Sequence, residues 1–149
     1  MTAERIPVVE GLFAETPAGP RLLGSRCPAC GTPYFPRSPV CHAAACSGGK
    51  TADAAFGPRG VLWSFTVQHF APPAPALVEE PFQPYAVGMV DLADGLRVLG
   101  RIESSDPPAL RCGMELELVL ASLRRDAQGR ELVSWMFRPA RAAGGEASR

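Results

Sequence analysis

Four of the chain's five cysteines lie between positions 27 and 46, in the stretch CPACGTPYFPRSPVCHAAAC. Their spacing is Cys-x2-Cys, ten residues, then Cys-x4-Cys, so the stretch contains two short cysteine hooks. Two such hooks can meet and present four thiolates to one metal ion, and tetrahedral zinc with Zn–S bonds of about 2.3 Å fits this ligand set. The predicted metal ligands are Cys27, Cys30, Cys41 and Cys46.

The predicted metal ion is structural. The segment between the hooks is poor in apolar residues beyond Tyr34, Phe35 and Val40, so it needs the free energy that zinc binding supplies. Four thiolates leave no open coordination position, so a saturated site cannot activate water. We therefore expect one Zn²⁺ per chain that stabilises the segment and takes no part in chemistry.

Other chemistries use the same residue types. The CPAC pair alone could be a thioredoxin-like redox centre, but no βαβ pattern surrounds it. Disulfides would require an oxidising compartment, and iron centres of rubredoxin type usually repeat the Cys-x2-Cys hook. His42 could replace Cys41 as a ligand, although the four cysteines already form a complete set. Cys112 stands alone before a strand and is predicted to be a small buried residue.

Composition restricts the partners. The chain has 149 residues and a formal net charge of zero, so it lacks an overall electrostatic attraction to nucleic acid or anionic membranes. No window approaches the run of about 18 apolar residues that a membrane span needs. The first residues, MTAERIPVVEGLF, lack the basic-then-apolar run of a secretory signal. We therefore expect a cytoplasmic protein, whose thiols are normally kept reduced.

The elements around the cysteines are predicted to be mainly β. From Gly60 onward, apolar and polar residues alternate in five runs, which is typical of half-buried strands: 61–70, 86–92, 96–103, 114–123 and 131–138. Asp94-Gly95, between the second and third runs, is a strong hairpin signal. Five strands within about 80 residues favour a closed barrel, and an OB-fold is the usual barrel of this size.

The first barrel strand, VLWSFTVQHF, has a regular alternation. It predicts that one face carries Val61, Trp63, Phe65 and Val67, with the two aromatic residues in the core. The connection that follows, residues 71–84, is long and proline-rich for a compact domain, and it indicates either a binding loop or disorder.

No catalytic motif is found. His42 and His69 are the only histidines, and neither lies in a nucleophile–base motif. The sequence contains no G-x-S-x-G motif and no phosphate-binding glycine loop. We therefore expect the chain to lack catalytic activity by itself.

The order of these motifs resembles a known family. The stretches RCPACGTPYFPRSPVCHAAAC, GVLWSFTV, PYAVGMVDLADGLRVLGRI and LRCGMELELVL are similar to those of the DUF35 OB-fold proteins, over about residues 20–138. The resemblance implies a rubredoxin-like zinc ribbon followed by an OB-fold. It carries the zinc ligands over to Cys27, Cys30, Cys41 and Cys46, and it carries over no catalytic residue.

The sequence pattern predicts a division of the chain, and the resemblance also implies the N-terminal helical segment and a function. The expected parts are an N-terminal helical segment (1–24, with PVVEGLFAE as the candidate helix), a zinc ribbon (25–57), an OB-fold barrel (58–140) and a flexible tail (141–149). DUF35 proteins are non-catalytic, acyl-CoA-associated subunits that accompany thiolases, thiolase-like aldolases or MaoC-like enoyl-CoA hydratases. The leading hypothesis is therefore an accessory subunit in a hetero-oligomer with a thiolase-like catalytic subunit, with a coenzyme A thioester as the ligand of the complex.

Candidate contact residues lie around the long connection. His69, Phe70, Phe82 and Tyr85 are predicted to contact the partner or coenzyme A. Two functions of other classes stay open. An OB-fold with a zinc ribbon could bind single-stranded nucleic acid, although the strands carry about as many acidic as basic residues. Iron at the four thiolates would instead indicate electron transfer.

Overall fold

Ten strands make up the regular structure of the residues described here. The computed structural model describes residues 4–74, 81–103 and 109–140, and within these ranges it contains no α-helix. The strands are β1 (Arg5–Pro7), β2 (Phe13–Thr16), β3 (Gly19–Arg26), β4 (Pro33–Tyr34), β5 (Ala52–Phe56), β6 (Arg59–Gln68), β7 (Tyr85–Leu92), β8 (Arg97–Ile102), β9 (Glu115–Arg125) and β10 (Glu131–Pro139).

Strands β6 to β10 form a closed five-stranded barrel. Strand β6 pairs antiparallel with β7 and with β9, and β7–β8 and β9–β10 are antiparallel pairs. Strand β8 closes the ring by pairing parallel with β10 at Arg101 and Ile102. The five alternating runs of the sequence become these five strands, so the prediction of a mainly β chain with a five-stranded barrel is confirmed.

The N-terminal helical segment was a wrong prediction. Strand β1 instead pairs parallel with β10, with Arg5 opposite Glu131. Strands β2 and β3 form a hairpin whose turn is fixed by Thr16: its hydroxyl donates to the Gly19 carbonyl at 2.6 Å and accepts from the Ala18 amide at 3.2 Å. The candidate helix at 7–15 instead contains the last residue of β1 and most of β2, and the pairing of these strands with β10 and β3 outweighs the local preference for helix.

The second sheet packs onto the barrel. In this sheet β3 pairs with β2, β4 and β5. Its Leu22 and Phe56 are fully buried in one apolar cluster with Leu62, Val90 and Phe137 of the barrel. The two sheets therefore share a core.

Polar and aromatic contacts reinforce this junction. Arg26 of β3 donates to the backbone carbonyl of Asp94, in the β7–β8 turn, at 2.8 Å. The indole of Trp135 in β10 meets the rings of Phe13 and Phe35, with ring centroids 6.2 and 5.4 Å apart.

Two further predictions were wrong in detail. A β-bulge in β6 between Leu62 and Ser64 breaks the expected alternation. Leu62 is buried, whereas Val61 and Trp63 point outward, with 42% and 53% of their surface exposed. Cys112, expected to be buried, is exposed.

Some predictions lie outside the described residues. These are the tail at 141–149 and the central part of the long connection, 75–80. No helix of the described residues is long and apolar enough to cross a membrane.

Candidate metal centre

The four cysteines of the two hooks lie together. Their sulfur atoms are all within 4.8 Å of one another. The Sγ atoms of Cys27 and Cys46 are 3.8 Å apart, and those of Cys30 and Cys41 are 3.5 Å apart. With Zn–S bonds of about 2.3 Å, the sulfurs of a zinc tetrahedron are separated by about 3.8 Å. The spacing of the thiols therefore fits a four-coordinate zinc ion.

Each sulfur accepts a backbone N–H from the residue two positions later. Ala43 donates to Cys41 at 3.4 Å, and Ala29, Thr32 and Gly48 donate to the other three cysteines. This geometry requires the chain to turn back on itself beside each cysteine. Gly31 and Gly48 have φ angles of 83° and 84°, which residues with a Cβ rarely adopt.

Two hydroxyl groups also contact the sulfurs. The Thr32 hydroxyl lies 3.1 Å from the Cys30 sulfur. The Tyr34 hydroxyl donates to the Cys41 sulfur at 3.3 Å and accepts the backbone N–H of His42 at 2.7 Å. Tyr34 thus connects a ligand atom to the backbone of the second hook. Such contacts orient metal ligands and adjust their basicity.

These contacts change the acidity of the thiols. The hydroxyl and the backbone N–H of Thr32 lower the pKa of Cys30 to about 6. The pKa of Cys27 is also lowered, chiefly by the backbone N–H of Cys30. For Cys46, the backbone N–H of Gly48 lowers the pKa of the thiol. The hydrogen bonds of the Cys46 thiol with Cys27 and Cys30 outweigh this effect, and the pKa of Cys46 is raised to about 11. The thiols of Cys27 and Cys30 in the first hook therefore ionise more readily than an ordinary thiol, and the thiolate is the form that binds metal.

His42 does not join the sulfur cluster. The group of candidate ligand atoms consists of the four cysteine sulfurs. The imidazole of His42 packs edge-on against the ring of Tyr34, with centroids 6.0 Å apart. In the sequence-based prediction Tyr34 is only an apolar residue, and Thr32 has no role. Their hydroxyls are brought to the sulfurs by the hook geometry, which spacing alone does not reveal.

The structure brings together part of the predicted contact set. The rings of Phe82 and Tyr85 meet edge-on, with centroids 6.0 Å apart. His69 and Phe70 are exposed, Phe70 to 81%, and the Gln68 side chain donates to the Phe70 carbonyl at 2.8 Å.

Sequence reasoning missed an arginine at this site. The guanidinium of Arg101 lies over the ring of Tyr85, 4.1 Å from its centroid. Both residues line a shallow, mostly apolar depression of about 470 Å³, together with Val87, Leu99 and Trp135. The hairpin register could have located this arginine, because the Asp94-Gly95 turn places Val87 opposite Arg101 and Tyr85 on the diagonal.

Comparison with known proteins identifies the two parts of the chain. Residues 17–51 match the family model described as the ChsH2 rubredoxin-like zinc ribbon domain, and residues 54–121 match the ChsH2 C-terminal OB-fold domain. The chain is 33% identical over 127 residues to the benzoylsuccinyl-CoA thiolase subunit BbsA of Thauera aromatica, covering 83% of this chain and 82% of BbsA. A solved structure titled Ltp2-ChsH2(DUF35) aldolase matches with a TM-score of 0.60 and 29% identity, over 80% of this chain and 84% of that one. The chain belongs to the DUF35 family.

The DUF35 unit also occurs as part of longer proteins. The chain is 34% identical over 120 residues to a probable enoyl-CoA hydratase alpha subunit of Thermomonospora curvata. The match covers 80% of this chain but 34% of that subunit. All four clustered cysteines lie within residues 17–51, the part of the chain that matches the ChsH2 zinc ribbon domain.

Proposed function

We propose that this chain is the non-catalytic, zinc-binding subunit of a thiolase-type complex that degrades an acyl-CoA. The observation that carries the proposal is its relationship to the thiolase subunit BbsA, which extends over 82% of the length of BbsA. In this proposal the chain binds the catalytic subunit and helps to hold the coenzyme A part of the substrate.

In this function the zinc ion has a structural role. Cys27, Cys30, Cys41 and Cys46 bind one Zn²⁺ as thiolates, and the sulfur spacing supports this assignment. The ligand set leaves no open position for water or substrate. Zinc therefore joins the two hooks and stabilises the ribbon, and the reaction takes place on the partner subunit.

The contact region for the partner or for coenzyme A comprises His69, Phe70, Phe82 and Tyr85. Phe70, with 81% of its surface exposed, is accessible to a partner. The stacked pair of Arg101 and Tyr85 supports contact with coenzyme A, because guanidinium groups bind phosphate and aromatic rings stack on planar bases.

Association of separately purified subunits tests this proposal. The zinc-loaded chain is mixed with the thiolase-type subunit of the same organism, and the mixture is resolved by size-exclusion chromatography. We expect the two chains to elute together, because the proposed role requires a stable complex. Separate elution at micromolar concentrations, with and without acyl-CoA, would contradict the proposal.

A second candidate partner follows from two of the relatives. Similarity to the Ltp2-ChsH2(DUF35) aldolase structure and to a probable enoyl-CoA hydratase subunit favours an aldolase or a MaoC-like hydratase as the catalytic chain. The same chromatography with those enzymes distinguishes them from the thiolase. Binding of single-stranded DNA in place of all three enzymes would assign the chain to the nucleic-acid class.

A further inference from the structure

We propose that the outer face of β6, β7 and β8 around Trp63 is the surface that binds the catalytic subunit. This inference rests on the proposed function and adds a surface that adjoins the contact region around Phe70 and Tyr85, with Leu99 at the boundary between the two. The Trp63 face is defined here by Val61, Trp63, Met89, Asp91, Arg97 and Leu99.

Exposed apolar side chains concentrate on the Trp63 face. Six large apolar residues of the described part of the chain are exposed: Val9, Val40, Val61, Trp63, Phe70 and Leu99. Three of the six, Val61, Trp63 and Leu99, belong to this face. The strand register joins them, because Met89 lies between Ser64 on β6 and Leu99 on β8.

The bulge in β6 is what presents the indole. Leu62 before the bulge and Phe65 after it point toward the core, so Trp63 and Ser64 both project outward at the point where the register shifts. Bulges commonly redirect a side chain in this way. Trp63 therefore keeps 53% of its surface exposed while the strand continues to fill the core.

Arg97 and Asp91 hold the indole in place. The guanidinium of Arg97 lies over the Trp63 ring, 3.9 Å from its centroid. Asp91 accepts two hydrogen bonds from the same guanidinium, at 2.5 Å from Nε and 3.0 Å from an Nη atom. A stacked and doubly bonded arginine loses little conformational freedom when a partner binds, which favours affinity.

The charges on the face favour a protein partner. Arg97 is paired with Asp91, and Arg59, at the start of β6, is paired with Glu115 at 3.8 Å. Nucleic-acid surfaces instead present basic groups to phosphates. An apolar centre containing tryptophan and arginine, with a charge-balanced rim, complements an apolar pocket of low net charge on a protein. We expect this pocket on the proposed catalytic subunit.

Binding measurements on surface variants test this inference. The dissociation constant of the chain for the separately purified thiolase-type subunit is measured by calorimetry at fixed salt. We expect Trp63→Ala to weaken binding by about 30-fold or more, as is typical of a central interface residue. Arg97→Ala and Leu99→Ser are each expected to weaken binding by about 10-fold. Val9→Ala, which truncates an exposed apolar side chain elsewhere, should change binding less than about 2-fold.

Controls distinguish a loss of binding to the catalytic subunit from a loss of folding and from binding to another partner. Each variant must retain one zinc per chain and a cooperative unfolding transition, and if Trp63→Ala fails this test the other two variants decide. If the wild-type chain binds the subunit and all three variants bind equally well, the inference is wrong while the proposed function stands. If the wild-type chain does not bind the subunit, both are wrong. If the variants instead lose self-association or binding to single-stranded DNA, with subunit binding unchanged, the face belongs to a second copy or to nucleic acid.

Discussion

At the scale of single residues, the metal centre depends on donors to sulfur as well as on the four cysteines. Cys41 begins the longer hook, and the Tyr34 hydroxyl contacts its sulfur in addition to the backbone N–H of Ala43. In the shorter hook, Cys27 instead receives a second backbone N–H, from Cys30. In the Cys-x4-Cys hook, the second hydrogen-bond donor to the first cysteine is therefore the Tyr34 hydroxyl. In the Cys-x2-Cys hook, that donor is a backbone N–H of the hook itself.

The substitution Tyr34→Phe tests this role. It removes the O–H donor to Cys41 and the acceptor for His42 while leaving the ring in place. We expect zinc affinity to fall by about 10-fold, the lower end of the effect of removing such contacts. The measurement is competition for zinc with a chromophoric chelator.

Tyr85→Phe is the matched control, because the chain has two tyrosines and Tyr85 lies in the barrel. It should leave zinc affinity unchanged. Equal affinities for the wild type and Tyr34→Phe would show that the hydroxyl plays no part in holding the metal.

At the scale of elements, the barrel closes where β8 meets β10. Gly100 of β8 faces the ring of Phe137, and a Cβ built on Gly100 would lie 2.7 Å from a ring carbon. Phe137 is fully buried, so its ring cannot move outward without opening the core. The absence of a side chain at Gly100 is therefore what lets the two strands approach.

The substitution Gly100→Ala should destabilise the barrel. We expect a loss of about 1–3 kcal/mol in the free energy of unfolding, as is typical of overpacking. Gly49→Ala is the control, since that position has space for a Cβ and is expected to change stability by less than about 0.5 kcal/mol. Chemical denaturation measures both variants. A Gly100→Ala protein as stable as the wild type would contradict the close approach of the two strands.

The sequence predicts local elements better than distant pairings. The five barrel strands were predictable because each follows a period of two over several residues. Strand β1 was not, because Arg5–Pro7 is too short to show a period and forms through β10, far along the chain. The bulge between Leu62 and Ser64 was also not predictable, because the apolar and polar residues of this run still alternate across it. The clustering of the four cysteines followed from spacing alone, whereas the hydroxyls of Thr32 and Tyr34 required the three-dimensional arrangement.

At the scale of the whole molecule, the ribbon and the barrel are tied into one unit. Leu22 and Phe56 of the second sheet complete the barrel core, and Arg26 binds the β7–β8 turn. In the proposed function, this unit presents surfaces to the catalytic subunit and a zinc ion stabilises its cysteine-rich part. The boundaries proposed for the segments at 1–24, 25–57, 58–140 and 141–149 are still predictions.

The central claim is that the chain supports a reaction carried out by another subunit. The most direct measurement is the rate of acyl-CoA cleavage in the presence of free coenzyme A, for the zinc-loaded chain alone, for the thiolase-type subunit alone, and for the two together. We predict no turnover by the chain alone, and a rate for the mixture at least about 10-fold above that of the catalytic subunit alone, since lost substrate positioning costs at least this much. Turnover by the chain alone, or full activity of the catalytic subunit without it, would contradict the account.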